Sequence, residues 1–422
     1  MTPLNIFVVH PSEMLTDHLP NGAGWIVFNY LQGLTERGHT VHVAVPRVEM
    51  RGPVPPRMHL HVIPQGQRRG ALARLSYILA VRKLLRRLSA TVPFDIAQQF
   101  TPVNTGLSLA VLGTGVPLVL GPYSGHWSPE AFGQPERTSL WSKLKRWIRD
   151  GVAALQQGQA RALVITCPAA SERILSSGLR ATRVHVISHG IHSRAYPERS
   201  SLPEQPSVLF LANLEYWKGI FTLLDAFDRI AVALPDCRLA VWGDGKEVDA
   251  VRQRVEQSPF RDRIDLKGRA PRERVGEIMR SHSVYCMPSY GEPFGMTILE
   301  AMASGLPVVT TNVGGPAFLV REEGGRVVPM RDAAGLATAL QEILINSALQ
   351  RSMGAYNRKR IEQEFDWSRS LDRMESVYER VLSQGGTSPK SRSTGPHAPP
   401  GPGCVAAPGA PPAPYPAAPT PR

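Results

Sequence analysis

From Leu4 to about Pro329 the chain alternates short runs rich in β-branched residues with longer amphipathic segments, and it does so in two series. Parallel neighbours cannot be joined by a tight hairpin, so this alternation predicts parallel strands linked by crossover helices. The first series of strand candidates covers 4–9, 40–45, 58–63, 94–99, 117–121, 162–166 and 183–188. Beyond Gly190 the pattern breaks into AYPERSSLPEQP (195–206), whose proline, serine and charge content reads as an interdomain linker. It restarts at 208–213, 238–243, 263–268, 283–288, 307–311 and 325–329.

An α/β chain of two domains follows. The N-terminal domain takes residues 1–195, the linker 196–206 and the C-terminal domain 207–364. Apolar residues recur at helical spacing over 365–384, giving a C-terminal helix expected to pack back toward the N-terminal domain. Twelve of the 38 residues in 385–422 are proline, so this tail has too little apolar surface to offset its ordering entropy and is expected to be disordered.

Charge is unevenly placed. Residues 1–200 hold 22 basic and 10 acidic side chains, 201–384 hold 23 and 25, and 385–422 hold 3 and none. One domain therefore faces something anionic while the other is ordinary. Cys167, Cys237, Cys286 and Cys404 lie far apart with no C-x-x-C pair, which suggests neither a disulfide framework nor a zinc site and fits a reducing cytoplasm. No stretch approaches the roughly 18 to 20 apolar residues of a spanning helix, and the N-terminus lacks a basic stretch ahead of its short apolar run. A soluble or peripheral protein is expected.

The densest chemistry lies in SYGEPFGMTILEAMASGLPVVTTNVGG (289–315), a glycine-rich turn, a short amphipathic helix and a buried strand. Glu292 falls in the turn and Glu300 two helical turns later. Paired carboxylates suit a polyol, because each accepts two or more hydroxyl donors. Between them, the N–H groups of Phe294, Gly295, Met296 and Thr297 open the helix and favour a diphosphate.

This stretch resembles the donor-site motif of the retaining glycosyltransferases of family 4, in which two Glu are separated by seven residues. The resemblance extends over about 4–384 and implies the GT-B fold, two facing Rossmann-like domains with parallel sheets. It implies catalytic roles for Glu292, Lys218 and His126. Lys218-Gly219 in VLFLANLEYWKGI (208–220) is similar to the family pair whose lysine neutralises the leaving diphosphate, whereas the family's Gly-Arg is Ala212-Asn213 here. His126, in GPYSGHW (121–127), is the nearest match to a cleft histidine. Donor binding is implied for Glu300, Phe294, Gly295, Met296, Thr297, Asn213, Gly243 and Arg269, and an acceptor and phosphate loop for Gly22 and Gly24. His189 stands where relatives carry Asn at the interdomain junction, which implies a hinge role. Phe318 stands where an acidic residue is common.

No G-x-G-x-x-G fingerprint opens the first domain, which disfavours NAD, and no Asp-x-Asp marks a metal site. No cofactor or metal is expected. The resemblance implies a metal-independent transferase of the hexosyltransferase type, with a nucleotide sugar as donor and a glycan or lipid-linked acceptor, in bacterial surface polysaccharide or glycolipid synthesis. A nucleotide-sugar epimerase of the same architecture and a non-catalytic carbohydrate-binding protein remain open. Two basic amphipathic segments, 68–90 and 141–162, read either as helices resting on an anionic membrane or as core helices with a solvated side. In the first, Leu72, Leu75, Leu79, Leu85 and Leu88 are expected to share one face. The cations are not interleaved with an aromatic platform, so nucleic acid is not expected.

Overall fold

The computed structural model describes residues 1–9, 14–18, 22–64, 71–101, 103–125, 139–174 and 183–384. The expected disorder of 385–422 concerns residues outside that set.

The first lobe runs β1 (Asn5–Val9), β2 (Leu15–Thr16), α1 (Gly22–Glu36), β3 (Thr40–Val45), β4 (Val48–Glu49), β5 (Met58–Val62), α2 (Ala71–Ser89), β6 (Ile96–Gln99), β7 (Leu118–Tyr123), α3 (Leu140–Gln159), β8 (Ala162–Ile165) and β9 (Val184–Val186). Seven strands form one parallel sheet in the order β5-β3-β1-β6-β7-β8-β9. The short β2–β4 pair was not foreseen, since two-residue strands leave no periodic trace.

The second lobe runs β10 (Ser207–Leu211), α4 (Ile220–Ala233), β11 (Arg238–Trp242), α5 (Val248–Glu256), β12 (Ile264–Gly268), α6 (Val275–Arg280), β13 (Val284–Met287), α7 (Met296–Ala303), β14 (Val308–Thr311), α8 (Gly314–Leu319), β15 (Gly325–Val328), α9 (Ala333–Leu344), α10 (Ser347–Arg360) and α11 (Trp367–Gln384). Its parallel sheet has the order β12-β11-β10-β13-β14-β15. The two-sheet α/β architecture expected from the alternation is present.

Each sheet is covered on both faces, which explains why its strands read as nearly continuous apolar runs. In β1, Ile6 and Val8 face the core shared with α1, while Phe7 and Val9 face the core under α2. In the second lobe, α4 and α9 cover one face and α6, α7 and α8 the other.

The chain returns to the first lobe at its end. Trp367, Leu371, Met374, Tyr378 and Val381, spaced four, three, four and three, place one stripe of α11 in the core beside α1. Backbone bonds fasten the two passages between the lobes, from Ile191 N–H to the Phe365 carbonyl at 2.8 Å and from Trp367 N–H to the Ile191 carbonyl at 3.1 Å. No helix among the described residues is long and apolar enough to cross a membrane.

Candidate functional site

In each sheet the strand order reverses at one point, between β1 and β6 in the first lobe and between β10 and β13 in the second. Helices leaving neighbouring strands diverge to opposite faces there, which opens a crevice at the carboxyl ends of the strands. The segments leaving β10 and β13 carry Lys218 and Glu292, so both emerge at the second-lobe crevice.

Lys218 ends a 3₁₀ turn (Tyr216–Lys218), and its ammonium donates directly to the Glu292 carboxylate. Their side chains are 17% and 12% exposed, so the pair is partly withdrawn from water yet open on one side. The Phe294 N–H also points at Glu292, 3.4 Å from Oε1. Gly295 follows with φ of 101°, a left-handed conformation that a side chain resists, and starts α7 without any side-chain cap. Uncapped first-turn N–H groups and the helix dipole make this end a place for negative charge.

The turn is supported from below. Gly315 N–H donates to the Glu292 carbonyl at 3.1 Å, and a Cβ on Gly315 would lie 2.2 Å from the Phe294 carbonyl oxygen. The Thr297 hydroxyl is 2.8 Å from that of Tyr285, and Met296 packs against cores of both lobes.

Glu300 lies deeper on the same helix. Its Oε1 accepts a hydrogen bond from the Tyr196 hydroxyl at 2.9 Å and lies 4.0 Å from Arg272 Nη1. Burial raises the Glu300 pKa, and Arg272 and then Tyr196 oppose the rise. The Arg272 guanidinium also covers the ring of Trp25 on α1, 4.1 Å from its centroid, and so joins the carboxylate to the first lobe. Tyr196, Arg272 and Trp25 were not singled out from the sequence. No local spacing announces them, because Tyr196 and Glu300 are separated by 104 positions. Tyr196 heads the segment read as a linker, yet it packs into the second-lobe core, and Arg199 donates to the His282 carbonyl at 3.0 Å.

The other expected donor residues cluster at the ends of β10, β11 and β12. Asn213 is exposed just beyond β10. Gly243 N–H donates to the Gly268 carbonyl at 2.8 Å, and Arg269 pairs with Asp244 at 3.2 Å in an exposed contact. In the first lobe, Gly22 begins α1 and Gly24 is buried, where a Cβ would lie 2.2 Å from the Met14 carbonyl oxygen. Gly24 thus brings α1 close to neighbouring backbone. His126 lies outside the described residues.

The first lobe meets the Glu292 turn directly. Gly125 N–H donates to the Pro293 carbonyl at 3.1 Å. His189 is 1% exposed, with its ring edge-to-face with Phe294 at 5.0 Å and its Nε2 3.4 Å from the Ser124 hydroxyl. Burial lowers its pKa to about 3, so it is neutral at physiological pH. Phe318 packs against cores of both lobes, apolar where an acid was the common residue.

Two family models match in tandem. One described as "Glycosyltransferase Family 4" matches residues 20–194, and one described as "Glycosyl transferases group 1" matches 194–360. A phosphatidyl-myo-inositol mannosyltransferase from Mycobacterium leprae is 28% identical over 323 residues, 75% of this chain and 81% of that protein. A glycogen synthase from Mycobacterium tuberculosis is 28% identical over 221 residues, 51% of this chain, which spans about half (53%) of that relative's length. Among solved structures, sucrose-phosphate synthase from Thermosynechococcus elongatus superposes with a TM-score of 0.70 at 21% identity, over 90% of this chain and all of that one. Anabaena Alr3699/HepE, solved in complex with UDP and glucose, gives 0.65 at 19% identity, over 89% and 99%. These likenesses place the fold as GT-B.

Proposed function

Because the chain belongs to glycosyltransferase family 4, we propose that it moves a sugar from a nucleoside-diphosphate sugar in the second lobe to a glycan or lipid-linked acceptor met by the first, with retention of anomeric configuration. The observation that carries this reading is the Lys218–Glu292 pair beside the uncapped start of α7. In the transfer, the bond from the anomeric carbon to the diphosphate oxygen breaks. The acceptor oxygen bonds to the face the diphosphate leaves, and its proton passes to the departing diphosphate oxygen, so no protein nucleophile is required.

Charge grows on the diphosphate as the bond breaks. Lys218 and the first N–H groups of α7 are fixed in advance where that charge develops, the arrangement that stabilises a transition state most. They supply positive charge without a resident metal or cofactor. Glu292 accepts hydroxyls of the sugar, and Glu300, braced by Tyr196, accepts those of the ribose. With Asn213 in place of the family arginine, Lys218 carries most of the side-chain charge on this step. The net excess of twelve positive charges in residues 1–200 suits an anionic or lipid-linked acceptor, in surface polysaccharide or glycolipid synthesis on the cytoplasmic face of a membrane.

Nucleotide release from a panel of UDP- and GDP-sugars, with and without a chelator, tests the reading. Release is expected from at least one donor, insensitive to the chelator and abolished by Glu292→Ala. Undiminished release by that variant, no release from any donor, or conversion of the donor to an epimer without acceptor would sink the assignment.

A further inference from the structure

On the first lobe one helix is inside out. Gln156 and Gln157 of α3 are 2% and 3% exposed, with Gln156 Nε2 donating to Gln99 Oε1 at 3.2 Å and Gln157 Nε2 to the Arg173 carbonyl at 2.9 Å. Five large apolar residues of α3 lie at the surface instead, with Trp141 73%, Trp147 75%, Ile148 52%, Leu155 52% and Leu144 44% exposed. Positions 141, 144, 148 and 155 fall on one stripe of the helix. Lys143, Lys145, Arg146 and Arg149 surround it, and Asp150 is the one acid in α3.

Helix α2 has an ordinary apolar inner face but bares leucines as well. Tyr77, Val81, Leu84 and Leu85 fill the core, while Leu72, Leu75 and Leu79 are 71%, 52% and 57% exposed. The sequence had grouped Leu85 and Leu88 with those three. Leu85 is fully buried and Leu88 packs against the core, so the face divides. Exposed Lys83 and Arg86 continue the outer stripe, in a helix with five cations and no acid. A 3₁₀ turn (Leu107–Val111) lies between the two helices. Arg82 Nη1 donates to the Leu112 carbonyl at 2.7 Å on one side, and the Gly106 N–H donates to Gln156 on the other.

Single exposed leucines are ordinary, but stripes of tryptophan and leucine edged by lysine and arginine on neighbouring helices are not. We infer that the outer faces of α2 and α3, held side by side over the buried 3₁₀ turn, dock the first lobe on an anionic lipid bilayer. Trp141 and Trp147 sit at headgroup level, where an indole keeps its apolar body in the acyl boundary and its N–H in the polar layer. The cations meet lipid phosphates. A second copy of this chain does not fit, because a two-fold contact would set these cations against their own copies. The inference deepens the lipid-linked acceptor of the proposed function by naming the surface that meets the membrane; docking itself does not depend on catalysis.

Flotation of the full chain with vesicles of phosphatidylcholine alone, or mixed with phosphatidylglycerol, tests it. The chain is expected to float with the anionic vesicles only, less so as salt rises. Trp141→Ala/Trp147→Ala and Lys143→Glu/Lys145→Glu each weaken that partition by about tenfold or more. All four positions are on the surface, and donor nucleotide release measured without vesicles is expected to match the parent in both variants. Variants that float as the parent does, a parent that ignores anionic vesicles, or retention on single-stranded RNA in their place overturns the docking. A parent that floats but releases no nucleotide from any donor leaves the docking standing and removes the transfer reading.

Discussion

The ammonium of Lys218 and the carboxylate of Glu292, 74 positions apart in the chain, form a direct ion pair where β10 and β13 end. The parallel pairing of β10 with β13, at the point where the strand order reverses, sets the two segments that leave these strands side by side.

Each member of this pair holds the other against the loss of water. Lys218→Met and Glu292→Gln are each expected to lower turnover by roughly a hundredfold or more. Each also lowers the denaturation midpoint, because a partly buried charge is left alone. The double variant Lys218→Met/Glu292→Leu should regain much of the stability and none of the turnover. Denaturant titration beside initial rates checks this, and a double variant that turns over donor would refute it.

The Tyr196 hydroxyl is the nearest donor to Glu300, so Tyr196→Phe leaves a buried carboxylate short of a hydrogen bond. The expected loss is about 1 to 3 kcal/mol of unfolding free energy. Nucleotide affinity should fall with it, read by isothermal titration with nucleoside diphosphates. Adding Glu300→Gln should cost less in the Tyr196→Phe background than alone, since the two side chains share one interaction.

Gly315→Ala should loosen the Glu292 turn. Its new methyl would stand 2.2 Å from the Phe294 carbonyl oxygen, so the backbone must move. A loss of about 1 to 3 kcal/mol is expected, with weaker donor binding. Gly151 in α3 has nothing within 4 Å of an added Cβ, so Gly151→Ala should be neutral or stabilising by about 0.5 to 1 kcal/mol. Equal melting temperatures for the two variants would refute the packing account.

His189 is held neutral by burial, with its pKa lowered to about 3. An unfolded chain takes up a proton at this histidine near pH 6.5, and the folded one does not until far lower. Stability from this group is therefore complete above about pH 6.5 and drains away as pH falls toward 3. Between pH 7 and 5 the loss should be roughly 2 kcal/mol. His189→Asn, which cannot titrate, should flatten that part of the profile, and a parallel profile would refute the assignment.

Much of the fold was legible. The length and β-branched content of each apolar run distinguished strand from helix, the irregular text near residue 200 divided the series, and the spacing in 365–384 marked a helix with one buried stripe. The residues at the centre of the candidate site, Glu292, Glu300 and Lys218, were also named from their motifs. The grouping of Leu85 and Leu88 with Leu72, Leu75 and Leu79 did not hold, because leucines lie on both sides of that helix and the core takes Leu85 and Leu88 while the other three stay exposed.

A sequence sets local matters: the rotation per residue, the stiffness of a turn, and which side chains a helix aligns along one face. Such information decays within a few turns of chain, so it predicted two sheets and a glycine-led helix start between two acids. Only the folded chain could decide that Tyr196 meets Glu300, that Arg272 reaches across to Trp25, and that α3 hides glutamines while baring tryptophans. Those contacts join segments tens to hundreds of positions apart, and strand order and lobe closure, rather than spacing, determine what each side chain faces.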